Sequence, residues 1–367
     1  MCALSLGLVL MVAWCGINAF GQSLCDFEMP ESTISIANLS FSYRHFYDGG
    51  MKTVEVSSGW LAARVEKLHD SPGFGYTMWA STRLGVERWL ATSWLASGSM
   101  SYRYYFAEDL PLFAHAGVRV DASTHFLQPG CEIRSGIGIG RFRDVTPLAK
   151  AHRIIDRLLR AGRVTRSLSS RDMLRIAEAI AAEESYGSFE EYASSIAELI
   201  GSVTQTELAT SDVLAIQTEL LDGSAERYCG AILQGGVGYE LVDPYKGAED
   251  ILYVLSGDVG RALAPDSQVR CRLSWSGASG DFLGENTSSL ELLYDAVLPQ
   301  AKAVRATYSI QQVASVRFDS VTSQRATVEY ALGVGQADLV LGLAISHVSG
   351  DPRWTVDVSV SLAVDLL

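Results

Sequence analysis

The last residues of the chain impose the strongest constraint on its fold. Val356, Val358, Val360, Leu362, Val364 and Leu366 alternate with Asp357, Ser359, Ser361, Ala363 and Asp365. Successive strand side chains point to opposite faces, so this segment has one wholly apolar face and one polar or small face. Its length matches the roughly nine to eleven residues a tilted strand needs to cross a bilayer. The pattern recurs upstream. Leu339, Leu341, Leu343 and Ile345 form one stripe, and Val328, Tyr330, Leu332 and Val334 another, opposed by Arg325, Thr327 and Glu329. Val269, Cys271, Leu273 and Trp275 are opposed by Arg270, Arg272 and Ser274. In the first half, Phe74, Tyr76, Met78, Ala80, Thr82, Leu84 and Val86 alternate with Thr77, Trp79, Ser81, Arg83 and Glu87.

With turn signals such as 47–50, 71–73, 243–247 and 349–352 between the stripes, the pattern predicts about fourteen antiparallel strands, twelve to sixteen being compatible with it. They fall near 33–46, 51–67, 73–88, 97–107, 112–122, 130–143, 226–242, 248–258, 266–276, 286–298, 302–317, 322–334, 338–349 and 352–366. The alternation loses phase near Ser57–Ala63 and Gln311–Val313, where bulges are expected.

Residues 1–21 carry no charge and hold an apolar run from Leu4 to Trp14, too short to span a bilayer; with Ala19 and Gly21 before Gln22 they predict a signal peptide. No later run reaches the length of a membrane helix, so a membrane-spanning form must use closed strands. The net charge of −13 argues against nucleic acid as a partner. Cys25, Cys131, Cys229 and Cys271 are widely spaced and form no close pair of the kind zinc sites use. They are expected as scattered small core or wall residues, and no metal or other cofactor is implied.

Residues 146–226 break the period of two, their apolar positions recurring at three and four. Four short helices are expected: one after Pro147 closed by Gly162, one from Ser170, one after a Ser188-x-x-Glu191 capping box, and one from Ser211 or Asp212 to Gly223. The domain order is a signal peptide over 1–21, a first barrel part over 22–145 with about six strands, the helical insert over 146–226, and a second barrel part over 227–367 with about eight strands.

An exported chain of repeated amphipathic strands, ending in a long one at the C-terminus, resembles the bacterial outer-membrane β-barrel class over Thr33–Phe142 and Glu226–Leu367. The resemblance implies a mainly β fold, an antiparallel transmembrane barrel in the bacterial outer membrane, in contact with its lipid. It also implies termini and short turns on the periplasmic side and longer loops outside. Counting back from the C-terminus, 276–285 falls outside and is the longest connection besides the insert. The insert follows a descending strand, so it belongs on the periplasmic side or folds up as a plug. Its charged helix faces favour the periplasm, where 146–226 is open to a periplasmic protein partner.

Charge on the polar face is the main functional signal. Arg83, Arg103, Arg119, Arg134, Arg270, Arg272 and Arg305, with Glu132, Glu240, Glu291, Asp295, Glu329, Asp357 and Asp365, are expected to line the lumen. At about fourteen strands the interior is too wide for wall side chains alone to fill, which favours an aqueous pore over a salt-bridged filling, unless the insert plugs it. The reading is a channel or transporter for small polar or charged solutes, not an enzyme. The alternative is a non-channel barrel whose helices dock a periplasmic partner. A third reading rests on His347-x-Ser349, similar to the base and nucleophile of outer-membrane lipid A deacylases, although Gly350 stands where that family has asparagine. Gly136, Gly138 and Gly140 are expected as small residues on the inner wall, and Tyr102, Tyr104, Tyr105, Phe106, Trp60, Trp89, Trp94, Trp275 and Trp354 as interfacial aromatic girdles.

Overall fold

A computed structural model describes residues 24–27, 31–48, 53–107, 110–166, 168–221, 226–246, 249–282, 284–298, 302–314, 319–334 and 337–365. The signal peptide expected over 1–21 and the end of the C-terminal stripe at Leu366 lie outside them.

Fourteen strands follow in order: β1 (Ser32–Asp48), β2 (Thr53–Asp70), β3 (Phe74–Glu87), β4 (Leu90–Ala107), β5 (Leu110–Ser123), β6 (Gly130–Asp144), β7 (Tyr228–Val242), β8 (Ile251–Ala264), β9 (Ser267–Ala278), β10 (Asn286–Leu298), β11 (Lys302–Ala314), β12 (Val321–Val334), β13 (Ala337–Val348) and β14 (Thr355–Asp365). Each pairs with its sequence neighbour, and β1 closes the barrel on β14, with Asn38 opposite Asp365 and Phe41 opposite Leu362. Closure removes both edges, so ladder groups need no water. The helices α1 (Thr146–Arg160), α2 (Ser170–Ala181), α3 (Phe189–Thr204) and α4 (Thr210–Leu221) follow the sixth strand. The structure thus has the fold class that the alternation implied.

Register joins the stripes into a continuous outer wall. Tyr294, Ala306, Val328, Leu343 and Val358 stand in one cross-strand row. Val328, Leu343 and Val358 are 50%, 44% and 67% exposed, exposure that an apolar row tolerates only against lipid or another apolar surface.

Several expectations are corrected. The register shifts at Phe46/Tyr47, Gly85/Val86 and Tyr105/Ala107, and not in 57–63 or 311–313. The break in phase near Trp60 has another cause: the strand stays regular while turning an aromatic ring to the inner face, opposite Gly85. β8 runs on to Ala264, beyond the expected end at 258, because Asp258, Gly260 and Ala262 continue its inner face without a large side chain. β9 reaches Ala278, so 243–250 is a longer connection than 279–285.

The chain divides into two compact units. One comprises 30–141, 231–258 and 270–367; the other comprises 1–29, 142–230 and 259–269. In the second unit the helices bury Ile154, Ile176, Ile196, Ile200 and Ile216 together with Phe27, Cys229 and Ala262. Arg227 is fully buried and its Nη2 donates to the Asp266 carbonyl (2.8 Å), while Arg153 Nη1 donates to that of Pro265 (3.1 Å). The helices therefore share one core with strand ends and the β8–β9 turn. Cys25 and Cys229 form a disulfide across this unit, their Cα atoms 5.3 Å apart, a pairing that the sequence left open. Nothing in the alternation marks that pair, because Cys25 precedes the first strand. Cys131 and Cys271 are free thiols.

Candidate functional site

The inner face is identified by side chains that meet across the barrel. Glu66 on β2 and Arg270 and Arg272 on β9 belong to strands separated by β3–β8 on one side and by β1 with β10–β14 on the other. Yet Arg270 Nη1 lies 3.4 Å from Glu66 Oε1, and Arg272 Nη2 donates to the same oxygen. Arg64 Nη2 holds Glu66 Oε2 at 3.0 Å. Asp258 on β8 receives Arg270 Nε at 2.8 Å and Arg272 Nε at 3.3 Å. A circular barrel of this strand number would be roughly 28 Å across at a strand spacing of about 4.8 Å and usual tilt, beyond the combined reach of an arginine and a glutamate. The walls are drawn together here, so that wall side chains bridge the interior at this level.

From these anchors the inner face can be followed strand by strand. Glu66, Trp79, Ser99, Arg119 and Glu132 share one row. Ser274 and Ser289 meet at 2.7 Å, carrying the face from β9 to β10, and Asp295, Arg305 and Glu329 form a further row. Tyr105 donates to Asp70 Oδ2 at 3.1 Å, and the Arg141 guanidinium carbon lies 4.0 Å from the centre of its ring. Phe113, fully buried, covers Gly138, where an added Cβ would meet its ring at 2.3 Å.

The residues singled out in the sequence are distributed unevenly. Arg270 and Arg272 enter the cross-barrel network. Arg119 pairs with Asp121 (2.7 Å), Arg134 with Glu132 (2.6 Å), and Arg305 contacts Asp295 at 3.5 Å. Arg103 is buried and donates from Nη1 to Thr77 Oγ1 at 2.7 Å. Arg83 is exposed, its guanidinium carbon 4.8 Å from the centre of the Trp60 ring. Glu240, Glu291 and Glu329 are half-buried and Asp357 is exposed. The side chain of Asp365 lies outside the described residues. Sequence reasoning missed Glu66, Arg64, Asp258 and Tyr105 as network partners. Arg64 and Glu66 sit two apart in β2, a signal hidden by the inward Trp60 nearby. Trp60 itself is no part of an outer girdle.

The structure gives His347 and Ser349 separate partners. Ser349 Oγ accepts the Thr322 amide at 2.8 Å, while the His347 ring packs on Trp354 with centroids 4.8 Å apart. No hydrogen bond joins the two among the described residues, and β13 turns His347 outward, opposite Gln324.

No family model and no curated protein sequence matches the chain. Solved structures with similar traces include the KdgM porin, at 8% identity and TM-score 0.31, covering 91% of this chain and 100% of that one. Pseudomonas aeruginosa OccK2 in complex with glucuronate has 8% identity and TM-score 0.35, with 92% and 98% covered. The CymD monoaromatic hydrocarbon channel has 11% identity and TM-score 0.30, with 93% and 90% covered. The fold assignment rests on the strand register and closure described above.

Proposed function

We propose that the chain is an outer-membrane channel for small polar or charged solutes. One observation carries this reading: the two faces of the same wall are both exposed and have opposite chemistry. Arg305, Arg325 and Asp357 are exposed on the inner face of β11, β12 and β14, whereas the exposed side chains outside include Val328, Leu343 and Val358. Ionised side chains need water, so the inner space beside β10–β14 is wet, and a water-filled closed barrel in a bilayer conducts. The Glu66–Arg270–Arg272–Asp258 network narrows that path. Steady ohmic conductance of the purified protein in planar bilayers is the expected result. A folded, heat-modifiable barrel that stays electrically silent would overturn the reading.

A second reading, docking of a periplasmic protein by the helical unit, is favoured by Leu214 and Leu221 on α4, which are 58% and 66% exposed. By the alternation of strand direction, β6 ends and β7 begins at the barrel end where β1 begins and β14 ends, the periplasmic end in this class.

A further inference from the structure

Two arginines of the β2–β3 wall flank a cavity beside the mid-barrel network. Glu66 holds Arg64 and, with Asp258, contacts Arg270 and Arg272. Arg83 adds another guanidinium, with no carboxylate in ion-pair contact among the described residues, its guanidinium carbon lying over the Trp60 ring instead. Between Arg64 and Arg83 is a cavity of about 350 Å³, lined on the inner face by Ser40, Ala62, Arg64, Ser81, Arg83 and Leu95. Register explains the grouping: Ser40, Ala62, Arg83 and Leu95 form one cross-strand row, and Arg64 stands opposite Ser81 in the next.

This arrangement suits an oxyanion. A guanidinium over an aromatic ring makes a cation–π contact that uses none of its N–H donors as hydrogen bonds to a carboxylate, and its donor fork matches a carboxylate or phosphate. Positive charge between low-dielectric walls raises the local concentration of anions. The hydroxyls of Ser40 and Ser81 can both donate to and accept from the hydroxyls of a bound molecule. The cavity lies toward the start of β2 from Glu66, on the side of the long connections, so a solute arriving from that end meets it before the constriction.

We propose that Arg64 and Arg83 form a binding site for a small hydroxylated solute bearing a carboxylate or a phosphate. This rests on the lumen being a solute path, but its test does not use current. The purified full-length protein in detergent is titrated calorimetrically with gluconate, with glycerol 3-phosphate and with neutral glucose. Binding of either anion, absent for glucose and weakened about tenfold or more in Arg83→Gln, is the expected result. Arg83 is exposed, so its replacement leaves no buried partner unpaired; Ser40→Ala with Ser81→Ala, expected to weaken the same anion, tests the site without touching charge. Absence of binding by both anions, equal binding of glucose, or affinity unchanged in Arg83→Gln would overturn the site. Binding with a silent bilayer would sink the channel reading alone, and conductance without binding would sink the site alone.

Discussion

Glu66 shows how much can depend on a single side chain of this wall. Its two oxygens engage Arg64 on its own strand and Arg270 and Arg272 on the far wall, so it fastens two sides of the lumen. Removing one partner of a buried ion pair leaves the other charges uncompensated, at a cost of about 3–5 kcal/mol. Glu66→Ala should lower barrel stability by a sizeable part of that, read as an earlier unfolding midpoint in urea. Glu66→Gln keeps the size of the side chain and removes one negative charge from the narrowest level of the path. It should raise conductance and shift the reversal potential under a salt gradient toward anion selectivity; an unchanged potential would show that the current bypasses this level. Reversing both Arg270 and Arg272 to Glu, by contrast, gathers four carboxylates at one point and should prevent the barrel from forming. Arg270 and Arg272 were legible in the sequence because they alternate with Val269, Cys271 and Leu273. Their partner Glu66 was not, because pairing across a lumen leaves no trace in the periodicity of either strand.

At the level of elements, the helices were legible where their ends are chemically marked. Ser188 Oγ accepts the Glu191 amide at 3.2 Å, and Glu191 Oε2 accepts that of Gly187 at 3.2 Å, so the capping motif read from the sequence opens α3, with the glutamate reaching one residue further back than in the usual box. The second helix begins at Ser170, as expected, and is capped by Ser169, its Oγ accepting the Asp172 amide at 3.2 Å. What the periodicity could not reveal is what the helices pack against. They share their core with Phe27, Cys229 and Ala262, contributed by segments distant in the chain, so excising 147–225 would expose apolar strand ends as well as remove helices. The same unit carries a pH dependence. Burial pushes the half-buried His152 imidazole on α1 below its ordinary value, with Asp156 opposing that shift. A histidine with a lowered folded value binds fewer protons than in the unfolded chain. Its contribution is therefore fully present above the unfolded value of about 6.5 and is lost as pH falls below it. Melting of the helical circular dichroism should come earlier at pH 5 than at pH 7.5, and His152→Gln should flatten that difference. Identical pH profiles for the two proteins would assign the effect to other groups.

For the molecule as a whole, antiparallel order and strand number followed from alternation and turns alone, because every strand meets the same demand for one apolar and one polar face. Closure followed too, since a bilayer leaves no partner for an open edge. The drawn-in wall and the Cys25–Cys229 bond did not follow, because each joins residues whose separation in sequence carries no periodic signal. That bond has a consequence for connectivity. It turns 25–229, with β1–β6 and the four described helices, into a covalent ring, and leaves β7–β14, beyond Cys229, as a linear tail attached to it. A backbone cut inside a ring separates nothing. If a protease site is placed in the connection 124–129 and cut, the boiled protein should run as one chain without reductant and as two with it. The same site placed in 279–285 should give two fragments under either condition. The two halves of one barrel would thus differ in kind under proteolysis: damage to the first is held together by a thiol bond, and damage to the second depends on strand pairing alone.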